Sequence, residues 1–378
     1  MTEFTVTPDA VEGDVDYEEL LARFGAEELT DDQTSRFPDH PLVRRRVFYA
    51  GRDVDEFLAA DRPSIVTGIG PSGPMHLGHA PVFYFAKRLQ EELGARVYVP
   101  LSDDEKYWFK DQTLAETSKY LESNLRDLLA VGFDPELTRF VVDTEDADVV
   151  YPLATAFAKD ITNSTLEAVY GEPENVGQGF YPAVQTAHLL LPQLVHGEHP
   201  TLVPIAVDQD PHVRVSRDVA AKARYPVQKP GALLMKFLPA LTGPGKMSSS
   251  EGATIRLTDD RETVREKIHE HAYSGGKTSL EEHREHGGDP DVDVPFQYLA
   301  AFFEDDDEEL ARIEREYRSG ELLSGEMKNL AIERIADFLD AHQERRAALG
   351  DTREELERFR LTEDERARAR DAVDLQRD

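Results

Sequence analysis

One stretch constrains the fold of this chain more than any other: residues 64–79, Ser-Ile-Val-Thr-Gly-Ile-Gly-Pro-Ser-Gly-Pro-Met-His-Leu-Gly-His. Ser64, Ile65, Val66 and Thr67 form a short β-branched run that reads as a buried strand. Gly68 and Gly70 then permit a tight turn and bring backbone close to a ligand. A helix is expected from about Met75, with Val82, Phe85, Ala86, Leu89 and Leu93 on one face and Gly94 as its stop. Ala95 to Leu101 reads as the next strand, so the unit is a β-α-β crossover, right-handed by the general rule. The N–H groups and dipole at the start of such a helix favour an anion above the strand ends. His76 and His79, three residues apart, are expected on one face of its first turn. There they can donate to a phosphate that gains charge in a transition state.

Gly68 to Gly73 also satisfies G-x-G-x-x-G, the dinucleotide fingerprint. That motif needs an acidic residue at the end of the second strand for a ribose. Here the required distance falls inside the helix, and the acids begin only at Asp103. A second motif points elsewhere. Gly243-Pro244-Gly245 is a mobile loop by composition, and it leads into Lys246-Met247-Ser248-Ser249-Ser250 and then a strand-like run, Ala253 to Leu257. A lysine on a flexible hinge can close over a pyrophosphate leaving group, and serines add hydroxyl donors.

The pairing of His-Leu-Gly-His with Lys-Met-Ser-Ser-Ser resembles the two signature motifs of class I aminoacyl-tRNA synthetases, usually written HIGH and KMSKS. The finer resemblance is to tryptophanyl-tRNA synthetases of the archaeal and eukaryotic type. It is carried by Ser102 to Tyr107, Phe180 to Gln185, Ala206 to Pro211, His271 to Gly276, Glu282 to Arg284 and Asp291 to Val294. It runs from about Val15 to about Arg346. The resemblance implies a Rossmann-like doubly wound parallel sheet followed by an α-helical domain. It implies activation of tryptophan by ATP with Mg²⁺, then transfer to tRNA(Trp), and no tightly bound organic cofactor.

The substrate carboxylate is the nucleophile in such a reaction, so catalysis is positioning plus charge stabilisation. By resemblance His76, His79 and Lys246 supply charge, and Gly78 leaves room for adenine. Gly70, Ser72, Lys106, Asp208, Gln209, Met247, Ser248, Ser249 and Ser250 complete the ATP site. Thr67, Gly68, Glu105, Gln185 and Gln209 hold the amino acid, with Glu105 on its ammonium group and Asp208 close to the ribose or to Gln209.

Three positions depart from the family pattern. Val66 and Pro100 stand where a tyrosine and a glutamine usually read the indole N–H, and neither side chain can accept a hydrogen bond. A pocket without such a reader discriminates by size alone. Tyr98 or Ser102 are the substitutes that sequence suggests. Ser249 replaces a second lysine common in class I enzymes, which leaves Lys246 as that loop's cation.

Composition adds a conflict. The net charge is −32, from 43 basic and 75 acidic residues, whereas phosphate contacts dominate affinity for nucleic acid. We read the acidity as adaptation to a high-salt cytoplasm, where the Debye length falls to ~3 Å and repulsion from tRNA is screened. The competing reading is an adenylating enzyme with a non-tRNA acceptor. Zero cysteines exclude disulfides and thiolate metal sites, so no structural zinc is expected. The start, Met-Thr-Glu-Phe-Thr-Val-Thr, lacks the pattern of a secretory signal, and a cytoplasmic enzyme without membrane contact is expected.

The expected organisation is a helical or hairpin extension over 1–60, a catalytic domain over 61–257 and a helical, anticodon-binding domain over 258–378. A helix from the Thr113–Glu116 capping box to Val131, and strands over Arg139–Val142 and Thr201–Val207, belong to the catalytic part. A helical insertion over about 134–200 carries, by resemblance, a homodimer interface. Arg44-Arg45-Arg46 suits phosphate contacts or salt bridges to an acidic surface. Glu354 with Arg358 and Asp364 with Arg368 are expected helix pairs. His269, His271, His283 and His286 match no metal motif. Alternatives to the synthetase are a paralogue for another amino acid, a small nucleotidyltransferase and a non-catalytic binding module.

Overall fold

The β-branched run at 64–66 is an interior strand of a seven-stranded sheet in the computed structural model, which describes residues 5–6, 11–12, 17–246 and 253–373. In chain order the strands are β1 (Glu27–Glu28), β2 (Phe48–Arg52), β3 (Ser64–Val66), β4 (Arg96–Leu101), β5 (Thr138–Val142), β6 (Thr201–Ala206) and β7 (Gly231–Met235). Across the sheet they lie in the order β1-β2-β7-β6-β3-β4-β5. From β7 to β5 all neighbours are parallel, and β2 and β1 add an antiparallel edge. The order reverses at β3, with β4 on one side and β6 on the other. Ligand crevices of open α/β sheets form at the carboxyl ends of such strands.

Alternation along the strands separates two cores. Ile65, Val97, Val99, Leu101, Phe140 and Val142 face one cluster, which also holds residues of the helices Ala80–Leu93, Leu114–Val131 and Ser324–Ala348. Val66, Tyr98 and Val141 face the other, under the helices Ala147–Ala158, Val176–His196 and Glu363–Ala372. The C-terminal helices therefore cover both faces of the sheet. β1 and β2 come from within 1–60, so that segment is built into the same sheet.

The helix after β3 begins at Ala80, not at about Met75. Residues 75–77 instead run extended against 255–257: the Leu77 N–H donates to Ile255 O and the Leu257 N–H to Met75 O, each at 3.0 Å, with His76 opposite Arg256. That pairing uses the backbone groups a first helical turn needs. It also explains why Ala253 to Leu257 joins no sheet, bridging to the histidine motif instead. The buried face of the helix carries Phe83, Phe85, Ala86 and Leu89, while Val82 and Leu93 are only partly covered. Gly94 ends it in the left-handed region, φ 62°.

The Thr113 capping box forms as expected, with Thr113 N–H to Glu116 Oε2 at 2.8 Å and Glu116 N–H to Thr113 Oγ1 at 3.2 Å. Gly243 to Gly245, expected as a mobile loop, form with Lys246 a short strand antiparallel to Pro239–Ala240. The basic triplet is committed to ion pairs. Arg44 reaches Asp39, Asp305 and Asp307, Arg45 reaches Asp307, and Arg46 reaches Asp31. Two expected helix pairs differ: Arg358 pairs with Glu355 at 2.9 Å, and Arg368 donates to the Asp364 carbonyl. His283 is buried against Tyr317 and donates to Leu322 O, and His269 meets Asn329. Among the described residues no helix is long and apolar enough to cross a membrane.

Candidate active site

Beyond the carboxyl ends of β3 and β4 the two chains stay paired. The Thr67 N–H donates to Tyr98 O at 3.1 Å, the Ile69 N–H to Pro100 O at 3.0 Å, and the Ser102 N–H to Ile69 O at 3.1 Å. Side chains would break this approach. A Cβ on Gly68 would run into the Pro100 carbonyl and ring, and one on Gly70 into the Glu105 carboxylate. The glycine loop therefore lies against Glu105 and Lys106, which pair with each other at 2.7 Å. Their sequence-assigned tasks, an ammonium and a phosphate, each require that pair to exchange partners.

His76 and His79 come together by a route other than a shared helical turn. Their rings stack with centroids 3.8 Å apart and planes at 30°. The His76 backbone N–H donates to His79 Nδ1 at 3.2 Å, and the Gly78 N–H to His76 Nδ1 at 3.1 Å. Both Nδ1 atoms thus act as acceptors, which in neutral rings puts the hydrogen on Nε2. Two N–H donors result, held by the backbone of the turn that includes Ser72 to His79.

At the carboxyl end of β6, the strand beside β3, Asp208 and Gln209 occupy the single-turn helix Val207–Gln209, and Gln209 Nε2 donates to Asp208 Oδ2 at 3.0 Å. Gln185 lies on the Val176–His196 helix and donates to the Tyr181 hydroxyl. Lys246 closes the 239–246 hairpin, its backbone opposite Pro239. Met247, Ser248, Ser249 and Ser250 lie outside the described residues. Only 247–254 separates Lys246 from Ile255, whose carbonyl binds Leu77 of the histidine motif. The histidine motif is thus tied to the chain just after that segment.

Sequence reasoning missed a buried polar cluster beneath the glycine loop. Asp143 follows β5, and its Oδ1 lies 2.6 Å from His188 Nε2. Its Oδ2 and Asp104 Oδ1 have no hydrogen-bond partner among the described residues. The Tyr151 hydroxyl donates to Asp104, and Thr144 to Asp103. Burial pushes the Asp104 carboxyl up to about 7 and Asp143 well above the usual carboxylate range, and neighbouring carboxylates add to both. Burial pushes His188 and His212 down to about 4, so both rings are neutral at pH 7. One signal was available: His188 lies one turn beyond Gln185 on the same helix, just past the Phe180–Gln185 segment that the sequence singled out. Of the two substitutes that the sequence suggests for reading an indole N–H, Tyr98 faces the same side of the sheet, but its hydroxyl is bonded to His196 at 2.9 Å.

Residues 59–340 match the family described as tRNA synthetases class I (W and Y). The chain belongs to this family. Among curated relatives it is 78% identical over 369 residues to tryptophan–tRNA ligase 2 of Halobacterium salinarum, covering 97% of each chain. It is 42% identical over 358 residues to tryptophan–tRNA ligase of Saccharolobus solfataricus, covering 91% of this chain and 92% of that one. Among solved structures it superposes on tryptophanyl-tRNA synthetase from Giardia lamblia with a TM-score of 0.84 and 32% identity, covering 92% and 96% of the two chains. A synthetase of this family uses ATP.

Proposed function

We propose that this chain is a cytoplasmic tryptophan–tRNA ligase, forming tryptophanyl-adenylate and passing the amino acid to tRNA(Trp). The observation that carries the reading is its identity over nearly its whole length to a curated enzyme of that name. The site chemistry supports it. A tryptophan carboxylate oxygen attacks the α-phosphorus of ATP, the bond to the β-phosphate oxygen breaks, and pyrophosphate leaves. The two Nε2–H groups of His76 and His79 donate to the phosphate oxygens as charge builds, and Lys246 meets the departing pyrophosphate. Glu105 exchanges Lys106 for the substrate ammonium, and the released Lys106 turns to the phosphates. Gln185 and Gln209 orient the amino acid, Asp208 the ribose, and Gly78 admits adenine.

Among the described residues no group of three or more His, Asp or Glu side chains converges as a metal site. Mg²⁺ accompanying ATP would supply charge neutralisation at the phosphates. A homodimer formed through the 134–200 insertion is the expected assembly, and exposed Val176, at 89%, is a natural contact for it.

The test is charging of a tRNA(Trp) transcript with radiolabelled tryptophan in molar KCl. Charging is the expected result. Adenylate formation without charging would favour a non-tRNA acceptor and overturn the ligase reading.

A further inference from the structure

The pocket lacks a reader where one is expected. Val66 and Pro100 are buried at the ends of β3 and β4 on the face covered by the Val176–His196 helix, and neither side chain accepts a hydrogen bond. Buried tryptophan needs a partner for its indole N–H, because an unmet donor carries its full desolvation cost. Most side chains that could serve are engaged. Tyr98 is bonded to His196, and Gln185 donates to Tyr181.

His188 differs from all of these. Its side chain is almost wholly buried, at 2% exposure, and Nδ1 has no hydrogen-bond partner among the described residues. Its other nitrogen, Nε2, is fixed by Asp143 at 2.6 Å. Three residues separate it from Gln185, so both project from one face of the helix. Glu105, assigned to the substrate ammonium, is close enough to act electrostatically on the ring. We propose that His188 is the specificity-determining residue of this site, accepting the indole N–H on Nδ1 while Asp143 holds the hydrogen on Nε2.

The assignment rests on the tryptophan reading given above. It also requires Asp143 to be the acceptor of the pair. Asp143 Oδ2 has no hydrogen-bond partner among the described residues, so a carboxyl kept protonated by burial carries its hydrogen there and leaves Oδ1 to accept from the His188 Nε2–H. The opposite arrangement, a protonated Asp143 donating to Nε2, would place an N–H on Nδ1 and turn it against a second N–H. Nearby, Val66 and Pro100 then serve as apolar walls for the ring, and the hydrogen bond comes from the helix rather than from the strands.

The test compares tryptophan with 3-benzothienylalanine, in which sulfur replaces the indole N–H, by ATP–pyrophosphate exchange in molar KCl. The unaltered enzyme is expected to prefer tryptophan by ~10²-fold or more in kcat/KM, since a site built for an N–H rejects its isostere. His188→Phe, which keeps a ring but no acceptor, should reduce that preference to below ~10-fold. Asp143→Leu tests the same idea without removing the ring. It deletes the acceptor that keeps the hydrogen on Nε2, so KM for tryptophan should rise while KM for the analogue stays put. If the unaltered enzyme activates tryptophan but ignores the sulfur replacement, the assignment of His188 is overturned and the tryptophan reading stands. A preference that survives intact in Asp143→Leu or His188→Phe overturns it as well, and leaves Nδ1 to a buried water. No exchange with tryptophan at all would overturn the tryptophan reading itself, and this inference with it.

Discussion

At the scale of single residues, the chemistry depends on which nitrogen or oxygen holds a hydrogen. Backbone N–H groups occupy Nδ1 of His76 and of His79, so the motif is a device for presenting two Nε2–H donors. His79→Ala removes one of them and should lower the rate of ATP–pyrophosphate exchange ~10²-fold or more, the usual loss when one transition-state donor is deleted. An unchanged rate would remove His79 from the mechanism. Asp104 offers a test through stability. Its carboxyl is raised to about 7 by burial first and by Asp143 second, so the native state keeps a proton that the unfolded chain releases above about pH 4. Stability is therefore fully present below about pH 4 and is lost as pH rises through about 7. His188 and His212 work in the opposite direction: lowered to about 4 by burial, they lose stability as pH falls below the ordinary histidine range. Asp104→Asn keeps the shape and cannot ionise, so urea unfolding between about pH 5 and pH 8 should show a flatter decline than in the parent chain. Parallel declines would show that Asp104 is charged in the native state.

At the scale of elements, local rules gave what local rules govern. The β-α-β unit, the Gly94 and Gly132 stops and the Thr113 capping box follow from residues next to one another in sequence, and each forms. Thr113→Ala should cost about 1 kcal/mol through loss of that cap, read as a lower urea midpoint with unchanged slope. A destabilisation near zero would mean that packing alone holds the helix end. What sequence misplaced depended on partners far along the chain. The helix starts at Ala80 because residues 75–77 bond to 255–257, and Gly243–Lys246 becomes a strand because Pro239–Ala240 lies beside it. The basic triplet at 44–46 found its acids at 305 and 307 as well as nearby. The polar cluster around Asp143 was illegible for the same reason: Ser102, Asp143 and His188 come from two strand ends and one helix. His76, His79, Glu105 and Gln185 were legible because each lies in a contiguous motif.

At the scale of the whole molecule, a net charge of −32 must coexist with a polyanionic partner. Screening at molar salt shortens the reach of that charge to ~3 Å, so activity should persist or rise as KCl is increased to molar concentration. Full activity in dilute buffer with collapse in KCl would contradict the high-salt reading. The surface ion pairs add little to this balance, because exposed pairs are individually weak and are screened by the same salt. The central claim is that the family site survives intact here and still selects tryptophan although Val66 and Pro100 offer no acceptor. ATP–pyrophosphate exchange in molar KCl with each of the twenty amino acids tests it most directly. Strong exchange with tryptophan alone is the predicted result. Exchange with another amino acid, or with none, would contradict it and make Val66 and Pro100 the marks of a changed substrate.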